Sequence, residues 1–571
     1  MRSLAAASLL LAAVVPAQAD TGPVSRALAG ARAALVEGDG IAAQARLREA
    51  QSAGAKDDDV RALMGEALLA QGDLAKAREW LAPARFSPST RALGFRMLGR
   101  LELRARRLPN AGRSFDQALA EVPRDAGLWT DIARLRYTGG EQAQAIQAAD
   151  RALVFGPASA EALAFRALLI RNQNGLAASL PWFDAALRQA PRDASIRADK
   201  AATLADLGHY AAALTEIRAV QKANPGDPRS LYLQAAIAAR GGRQALARKI
   251  LQRGKGKLHD VPGVMLLTAA LELDAGNANV AVELSDRLLR YQPDNLLAQH
   301  ILARAMARSG EPRLVIARFG SLARRTNATP YMLTVVGRAY EELGRRSEAT
   351  DLLQRAAAPP ASSLRPLPAG ADLPVLASRY PDAPRQANEA VPYIRALLAL
   401  GDTATAKATA RKLLSGNLGA PDAYLIAGDA EMARNLPAAA LPHYQTAAAI
   451  RFGESELLRL DRSLRALGRG RDADLLAFAF AVENPQNLAA ARMLANIRAR
   501  GAQWDQSAAL LEWIGARSGW RDPGLVADLA FARLRQQRTD EARRLALRAA
   551  KLQPSNPSVG QIMRLTSATA R

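Results

Sequence analysis

The sequence contains no cysteine and only four histidines among its 571 residues. Without cysteine there is no disulfide bond, thiol nucleophile or cysteine-ligated metal, so packing alone has to hold the fold. The histidines lie far apart and no pair has the spacing of metal ligands: His209, His259, His300 and His443. There is also no G-x-S-x-G turn and no glycine-rich dinucleotide turn. We therefore expect no catalytic residue, no metal, no cofactor, and a protein that is not an enzyme.

Aromatic residues are also scarce, at 5% of the chain, whereas hydrophobic residues make up 49% and charged residues 23%. The hydrophobic share is too high for a disordered chain. A core poor in aromatics and rich in Ala and Leu suits close-packed helices better than sheets, which favour β-branched and aromatic residues. The composition therefore favours an all-α fold.

Long hydrophobic runs are missing except at the amino terminus. Arg2 is followed by the apolar run "LAAASLLLAAVVP" and by Ala17-Gln18-Ala19, a small-x-small cleavage site. This pattern predicts a secretory signal peptide over residues 1–19, with an uncleaved anchor as the alternative. No later run reaches about 18 apolar residues, so we expect no transmembrane segment after signal removal. The predicted location is the periplasm, either free or peripheral to a membrane.

Acidic residues are outnumbered, and the formal net charge is +23. Arginine accounts for 67 of the 77 basic residues. A basic protein tends to meet anionic partners, here an acidic protein or peptide or an anionic polysaccharide. Export makes nucleic acid the least expected partner, and we predict none. The alternative is that the charge only reflects a composition rich in Ala and Arg.

A 34-residue period runs along the chain. Closing prolines recur at this interval: Pro123, Pro157, Pro191 and Pro225. Turn residues keep the same register at Gly140, Asn174 and Gly208, and so do the second-helix positions Phe115, Ala149, Phe183 and Ile217. In "GLWTDIARLRYTGGEQAQAIQAADRALVFGP" we predict two helices with a turn at residues 138–140, because glycine tolerates positive φ. The spacing thus indicates a repeated helix–turn–helix unit.

Several segments show the same marks, among them "MLGRLELRARRLPNAGRSFDQALAEVP" and "LIAGDAEMARNLPAAALPHYQTAA". They resemble the tetratricopeptide repeat (TPR), whose 34-residue unit has Gly in the first helix, Ala and an aromatic in the second, and a closing Pro. We count roughly fourteen or fifteen units from about residue 24 to the end. The resemblance implies a right-handed α-superhelical solenoid of stacked helix–turn–helix repeats. It also implies a concave groove lined by first helices and a last helix covering the open end.

The predicted organisation has four parts. The signal peptide is followed by an N-terminal repeat array, a proline-rich insertion between repeats, and a C-terminal array with its capping helix: 1–19, 20–358, 359–385 and 386–571. The insertion, "PPASSLRPLPAGADLPVLASRYPDAP", sits where a short turn between repeats belongs. Its apolar residues predict docking on a neighbouring repeat face, with a hinge as the alternative: Leu373, Val375, Leu376 and Tyr380.

The resemblance also predicts a partner-binding groove. In the repeat register, positions 5, 9, 12 and 13 of successive first helices place a basic strip there, which we assign to Arg96, Arg100, Arg104, Thr130, Arg134, Tyr137, Arg171 and Asn172. Arginine presents a planar fork that pairs with carboxylate or phosphate. The alternative is that these are ordinary solvated arginines. Position 9 lacks the Asn of the cytosolic TPR proteins that bind chaperone tails, which argues against their ligand.

Two functions remain open. Exported TPR proteins often act in bacterial envelope assembly or secretion, so the resemblance implies a non-enzymatic scaffold for protein–protein interactions. The alternative is a glycan-binding accessory protein of an exopolysaccharide synthesis or export machine whose pore is a separate protein. An enzyme hidden in the degenerate repeats has no motif to support it.

Overall fold

A computed structural model describes residues 22–568 except 255, 257, 259, 294, 326–327, 358–372, 381–385 and 555. The predicted signal peptide lies outside these residues. The chain divides into two compact units. The first contains Met1–Gly139 and Gln147–Pro157, and the second contains Gly140–Ile146 and Ala158–Arg571.

The first unit is helical throughout its described residues. Its helices are α1 (Pro23–Val36), α2 (Gly40–Ser52), α3 (Asp57–Gln71), α4 (Leu74–Leu81), α5 (Arg91–Arg104), α6 (Leu108–Glu121), α7 (Ala126–Thr138) and α8 (Gln142–Phe155), whose first residues cluster with the second unit.

The second unit continues the same helical alternation. Its helices are α9 (Ala160–Gln173), α10 (Leu176–Gln189), α11 (Ala194–Asp206), α12 (Tyr210–Ala223), α13 (Pro228–Arg240), α14 (Gln244–Arg253), α15 (Pro262–Asp274), α16 (Ala278–Tyr291), α17 (Leu296–Arg308), α18 (Pro312–Arg324), α19 (Pro330–Glu342), α20 (Arg346–Ala357), α21 (Leu373–Arg379), α22 (Ala387–Leu400), α23 (Thr403–Gly416), α24 (Pro421–Ala433), α25 (Pro437–Ile450), α26 (Glu454–Ala466), α27 (Gly470–Glu483), α28 (Leu488–Arg500), α29 (Trp504–Ser518), α30 (Pro523–Arg535), α31 (Thr539–Leu552) and α32 (Pro557–Ala568).

The fold is an all-α solenoid of stacked helix–turn–helix repeats, as predicted, and no strand occurs in the described part of the chain. Leaving out α21 and the last helix, the described helices follow one another as 15 helix–turn–helix pairs. None of the described helices is long and apolar enough to cross a membrane.

First helices begin at a repeated N-cap. A side-chain oxygen accepts a hydrogen bond from a backbone N–H three residues later, which satisfies one of the unpaired donors at the helix start. This bond recurs in register at Asp125, Ser159, Asp193, Asp227, Asn295 and Thr329. Six first helices therefore begin at the same register position, whereas Val261, between Asp227 and Asn295 in this register, makes no such bond.

In the repeats α5–α6 and α24–α25 the two helices touch through glycine. A Cβ added to Gly99 of α5 would lie 2.3 Å from the ring of Phe115 on α6, and one added to Gly428 of α24 would lie 2.4 Å from Tyr444 on α25. Both aromatic side chains are fully buried. Only a glycine leaves room for the ring, so this pair of positions, which we call the seam, fixes how closely the helices pack.

The turns follow the predicted register. Gly140 and Gly208 have positive φ, +83° in each case, which favours glycine. In the repeat between them Asn174 also lies in the turn, directly after α9, with a φ of −118°. Gly175, the next residue, has a positive φ of +117°.

The proline-rich insertion lies mostly outside the described residues, but 373–380 are described. They form α21, whose Leu376 is buried, while the ring of Tyr380 stacks on that of Tyr393 of α22 with centroids 4.8 Å apart. Leu373 packs into the same cluster. Val375 is the exception to the expected docking, because it is 42% exposed on the outer side of this short helix.

The predicted last helix is present as α32. Its Val559 and Ile562 are buried against α30 and α31. This helix therefore covers apolar surface of α30 and α31.

Candidate partner-binding site

The predicted basic strip begins on α5 in the first unit. Arg96, Arg100 and Arg104 follow one another at four-residue intervals and therefore share one helix face. The N-terminal end of α7 comes close to this face, since a Cβ added to Gly127 would lie 2.4 Å from the Arg96 guanidinium. Arg96 thus lies against the next first helix rather than extending into solvent.

Asp131 of α7 is the centre of this cluster. Its Oδ2 accepts hydrogen bonds from the Nε atoms of Arg96 and Arg100, both at 2.7 Å, and its Oδ1 accepts one from Nη1 of Arg134 at 3.1 Å. The Asp131 side chain is 1% exposed, whereas Arg134 is 35% exposed. Three guanidinium groups from two repeats therefore meet on one buried carboxylate, which we call the Asp131 cluster.

The cluster keeps Asp131 ionised. Burial alone would raise the pKa of this carboxyl group, but the charges of Arg100, Arg96 and Arg134 outweigh it and hold the pKa at about 2. A buried carboxylate is tolerated when it is paired and hydrogen-bonded in this way. The carboxylate in turn fixes the orientation of three arginine side chains.

Arg104 has a different role. Its Nη1 donates to the carbonyl oxygen of Leu69 at 2.6 Å, near the end of α3. In the second unit Arg308 donates in the same way to the carbonyl of Leu273 at 2.7 Å. Burial and the neighbouring charge of Arg100 lower the pKa of Arg104. This register position therefore satisfies a carbonyl at the end of the preceding first helix.

Thr130 does not line a surface, contrary to the prediction. It is fully buried, and its hydroxyl donates to the carbonyl oxygen of Ala126 at 2.8 Å. Tyr137, by contrast, is 37% exposed, near the end of α7.

The remaining predicted residues, Arg171 and Asn172, belong to the second unit. Arg171 of α9 donates to the hydroxyl of Thr203 at 3.1 Å and pairs with Asp206 of α11. Asp206 also accepts from Arg240 of α13 at 3.0 Å. The Asn172 backbone carbonyl accepts a hydrogen bond from the Phe452 amide at 2.9 Å.

An aspartate between two arginines of different helices recurs in the second unit. Asp474 of α27 accepts hydrogen bonds from Arg465 and Arg500, both at 2.6 Å. Asp429 of α24 instead pairs with a single arginine, Arg459 of α26, through two bonds of 2.7 and 2.8 Å. These arginines stabilise the contact between repeats, so part of the basic composition has a structural use.

The second unit also has a pocket of about 340 Å³ between α28, α29 and α30. Trp504 and Phe531 form an edge-to-face pair in its wall, with centroids 5.7 Å apart. Asp528 lies beside them and pairs with Arg492. Burial, with a contribution from Asp522, raises the pKa of Asp528 against the effect of that arginine.

No group of three His, Cys, Asp or Glu that could hold a metal ion occurs among the described residues. The His300 ring lies 4.7 Å from that of Tyr331, tilted by 40°, and forms a hydrogen bond of 3.0 Å with the hydroxyl of Thr329. Burial lowers the pKa of His300 and of His443. The fourth predicted isolated histidine, His259, lies outside the described residues.

The sequence profile of the tetratricopeptide repeat matches residues 96–160, 199–257 and 394–454, so these stretches carry TPRs. No curated protein matches the chain. Among solved structures the chain is similar to PilW, a type IV pilus biogenesis factor, with 21% identity over 37% of this chain and 98% of that chain and a TM-score of 0.32.

Two further solved structures resemble the chain. One is a tetratricopeptide repeat protein from Parabacteroides merdae, with 16% identity, coverage of 42% of this chain and 94% of that chain, and a TM-score of 0.31. The other is human IFIT1, with 15% identity, coverage of 68% and 90%, and a TM-score of 0.37. These likenesses concern the repeat fold.

Proposed function

We propose that the chain is a non-enzymatic, exported TPR scaffold that binds an acidic segment of a partner protein at the Asp131 cluster. The observation that carries this proposal is the meeting of Arg96, Arg100 and Arg134 on one buried carboxylate. Helical repeat scaffolds of the TPR type commonly mediate protein–protein interactions, which supports a protein as the ligand.

The chemistry of the cluster favours a carboxylate ligand. A guanidinium group presents its N–H donors in a rigid, planar fork whose geometry matches a carboxylate. Because Asp131 already fixes these arginine side chains, they would lose less conformational entropy when a ligand binds. Arg134, the most exposed of the three, is the residue that we expect to contact the ligand most directly.

The cellular setting of this proposal comes from the resemblance to exported TPR proteins, which act in bacterial envelope assembly or secretion. We propose such a role here. An anionic polysaccharide carries the same carboxylate chemistry as an acidic peptide. The glycan-binding alternative is therefore an explicit outcome of the test.

The test uses poly-L-glutamate and polygalacturonate as probes against the full chain. We expect poly-L-glutamate to bind with an affinity that falls as salt rises, and Arg134→Gln to weaken binding about tenfold or more, because a hydrogen bond to a charged group contributes about 1.5–3 kcal/mol. Fluorescence anisotropy of labelled probes gives both dissociation constants.

The matched control is Arg318→Gln, which removes an arginine that is 53% exposed and pairs with Asp286 in the second unit. It should leave probe binding unchanged. Binding of polygalacturonate alone would favour the glycan function. Equal loss of binding in both variants, or no binding of either probe, would contradict the assignment of this cluster.

Export is a separate part of the proposal. If the signal peptide is removed after Ala19, the intact mass of the protein recovered from the periplasm should correspond to a chain beginning at Asp20. A mass that includes Met1, or recovery only from the cytoplasm, would show that the chain is not processed in this way.

A further inference from the structure

Within the second unit, residues that are about 280 positions apart in sequence touch each other. The Phe452 amide donates to the Asn172 carbonyl at 2.9 Å, and Nε2 of Gln173 donates to the Ala449 carbonyl at 2.8 Å. One repeat earlier, the Ala143 amide donates to the Gly419 carbonyl at 3.1 Å. One repeat later, Nε2 of Gln486 donates to the Leu207 carbonyl at 3.5 Å. Two runs of repeats, one containing residues 143 and 172–208 and the other residues 419–486, therefore contact each other in register.

The groups in these contacts are helix ends. Asn172 lies at the end of α9, Leu207 directly follows α11, and Ala449 lies in the last turn of α25. Carbonyl groups at such positions have no partner within their own helix. Each of these three carbonyls accepts its hydrogen bond from the other run.

The first turn of α10 also receives a hydrogen-bond partner from the other run. Its N-cap residue is Gly175, which has no side chain to accept a hydrogen bond. The carboxylate of Glu483, the last residue of α27, accepts the bond from the Ala178 amide instead, at 2.8 Å. A negative charge is favourable at a helix N-terminus, so α27 supplies the cap that the sequence around α10 lacks.

Glycines allow the close approach. A Cβ added to Gly175 would lie 2.5 Å from Cβ of Glu483, and one added to Gly208 would lie 2.6 Å from the side-chain amide of Gln486. A Cβ added to Gly419 would lie 1.8 Å from Oε1 of Gln144. Glycine thus stands at three successive points of contact between the two runs.

We propose that these contacts form an intramolecular clasp, made of residues 143, 172–178 and 207–208 on one run and 419, 449–452 and 483–486 on the other. Because water can satisfy helix-end groups almost as well, the clasped and open states differ little in free energy, and a ligand can shift the balance between them. In the clasped state the end of α9, including Asn172, is covered by residues 449–452. A partner that binds there has to open the clasp.

Cross-linking tests the clasped state directly. Because the chain lacks cysteine, the pair Gln173→Cys and Ala449→Cys places only two thiols in the full-length protein. A short bis-maleimide should join these two positions within one chain, as peptide mass spectrometry would show. A yield no higher than that in denaturant, or cross-links only between chains, would overturn the proposal.

A matched pair of glycine variants tests opening. Gly208 and Gly401 have the same φ of +83°, but only Gly208 has Gln486 against it, since a Cβ at Gly401 would meet nothing within 4 Å. Introduced with the cysteine pair, Gly208→Trp should lower the cross-link yield several-fold, and without the cysteines it should raise the radius of gyration in small-angle scattering.

Gly401→Trp imposes the same backbone strain and should do neither. Circular dichroism confirms that both variants keep their helical content. Equal cross-link yield in the two tryptophan variants, or an unchanged radius of gyration in Gly208→Trp, would contradict a clasp that opens.

Discussion

Helices that are neighbours in sequence and repeats that are far apart in the second unit meet through different chemistry. In the seam of one repeat, the buried ring of Phe115 fills the space that Gly99 leaves open. In the clasp, backbone and amide groups at helix ends exchange hydrogen bonds. Burial of apolar surface is the larger driving force, whereas a hydrogen bond replaces one to water. The seam therefore stabilises the fold of its repeat. The clasp affects only the balance between the clasped and open states of the second unit.

Ion pairs show the same contrast between a buried and an exposed setting. The Asp131 carboxylate is 1% exposed and is shared by three arginines, while the Arg318–Asp286 pair joins side chains that are 53% and 50% exposed. Solvent and salt screen the second pair. Removing one partner should therefore matter much more in the Asp131 cluster.

The largest effect is expected from breaking a seam. Phe115→Ala removes a fully buried ring opposite Gly99, where no side chain can fill the resulting cavity. We expect a loss of about 4 kcal/mol in the free energy of unfolding of the first unit. Hydrogen exchange of the amides in α5 and α6 measures this loss. Protection equal to that of the wild-type chain would show that the repeat repacks around the gap.

A somewhat smaller effect is expected from Asp131→Asn, which keeps the shape but removes the charge that three arginines share. The loss should be about 3 kcal/mol at neutral pH. The wild-type chain should also lose about 2 kcal/mol as the pH falls from about 4 to about 2. The sign follows from the folded pKa of about 2, which lies below the ordinary value of 3.8, so the stabilisation is present above that value and is lost in acid.

Urea titrations at several pH values measure both effects, and the variant should lack the acid-dependent part of the wild-type loss. If the two proteins show the same pH dependence, Asp131 is not the titrating group.

Arg318→Gln is the smallest change in this series. It should alter the free energy of unfolding by no more than about 0.5 kcal/mol, because the pair is exposed.

Much of the fold is encoded at short range and could be predicted from the sequence. The recurrence of Pro, Gly and Ala at 34-residue intervals gave the helix–turn–helix units, because each marker ends a helix, turns the chain or permits close packing. The positive φ at Gly175, next to the predicted turn residue Asn174, was not part of this register. Glycine adopts that conformation with less strain than asparagine.

The site was predicted only in part, because its centre is a buried residue. Asp131 stands where the repeats before and after carry Met97 and Phe165, which are both buried. An acidic residue at a position that is otherwise apolar is a sequence signal for a buried ion pair, and it points to arginines on the neighbouring helix. Thr130 was placed on the surface because the register was applied without this clue.

The clasp could not be predicted from the period, since its partners are about 280 residues apart and their register depends on the path of every repeat between them. The length of the intervening chain therefore determines which residues of the two runs lie opposite each other. Inserting or deleting one whole 34-residue unit between positions 210 and 410 would leave each local N-cap and seam intact. It would nevertheless displace Gln173 from Ala449 by one repeat. The number of repeats, and not their sequences alone, therefore determines whether the two runs can meet.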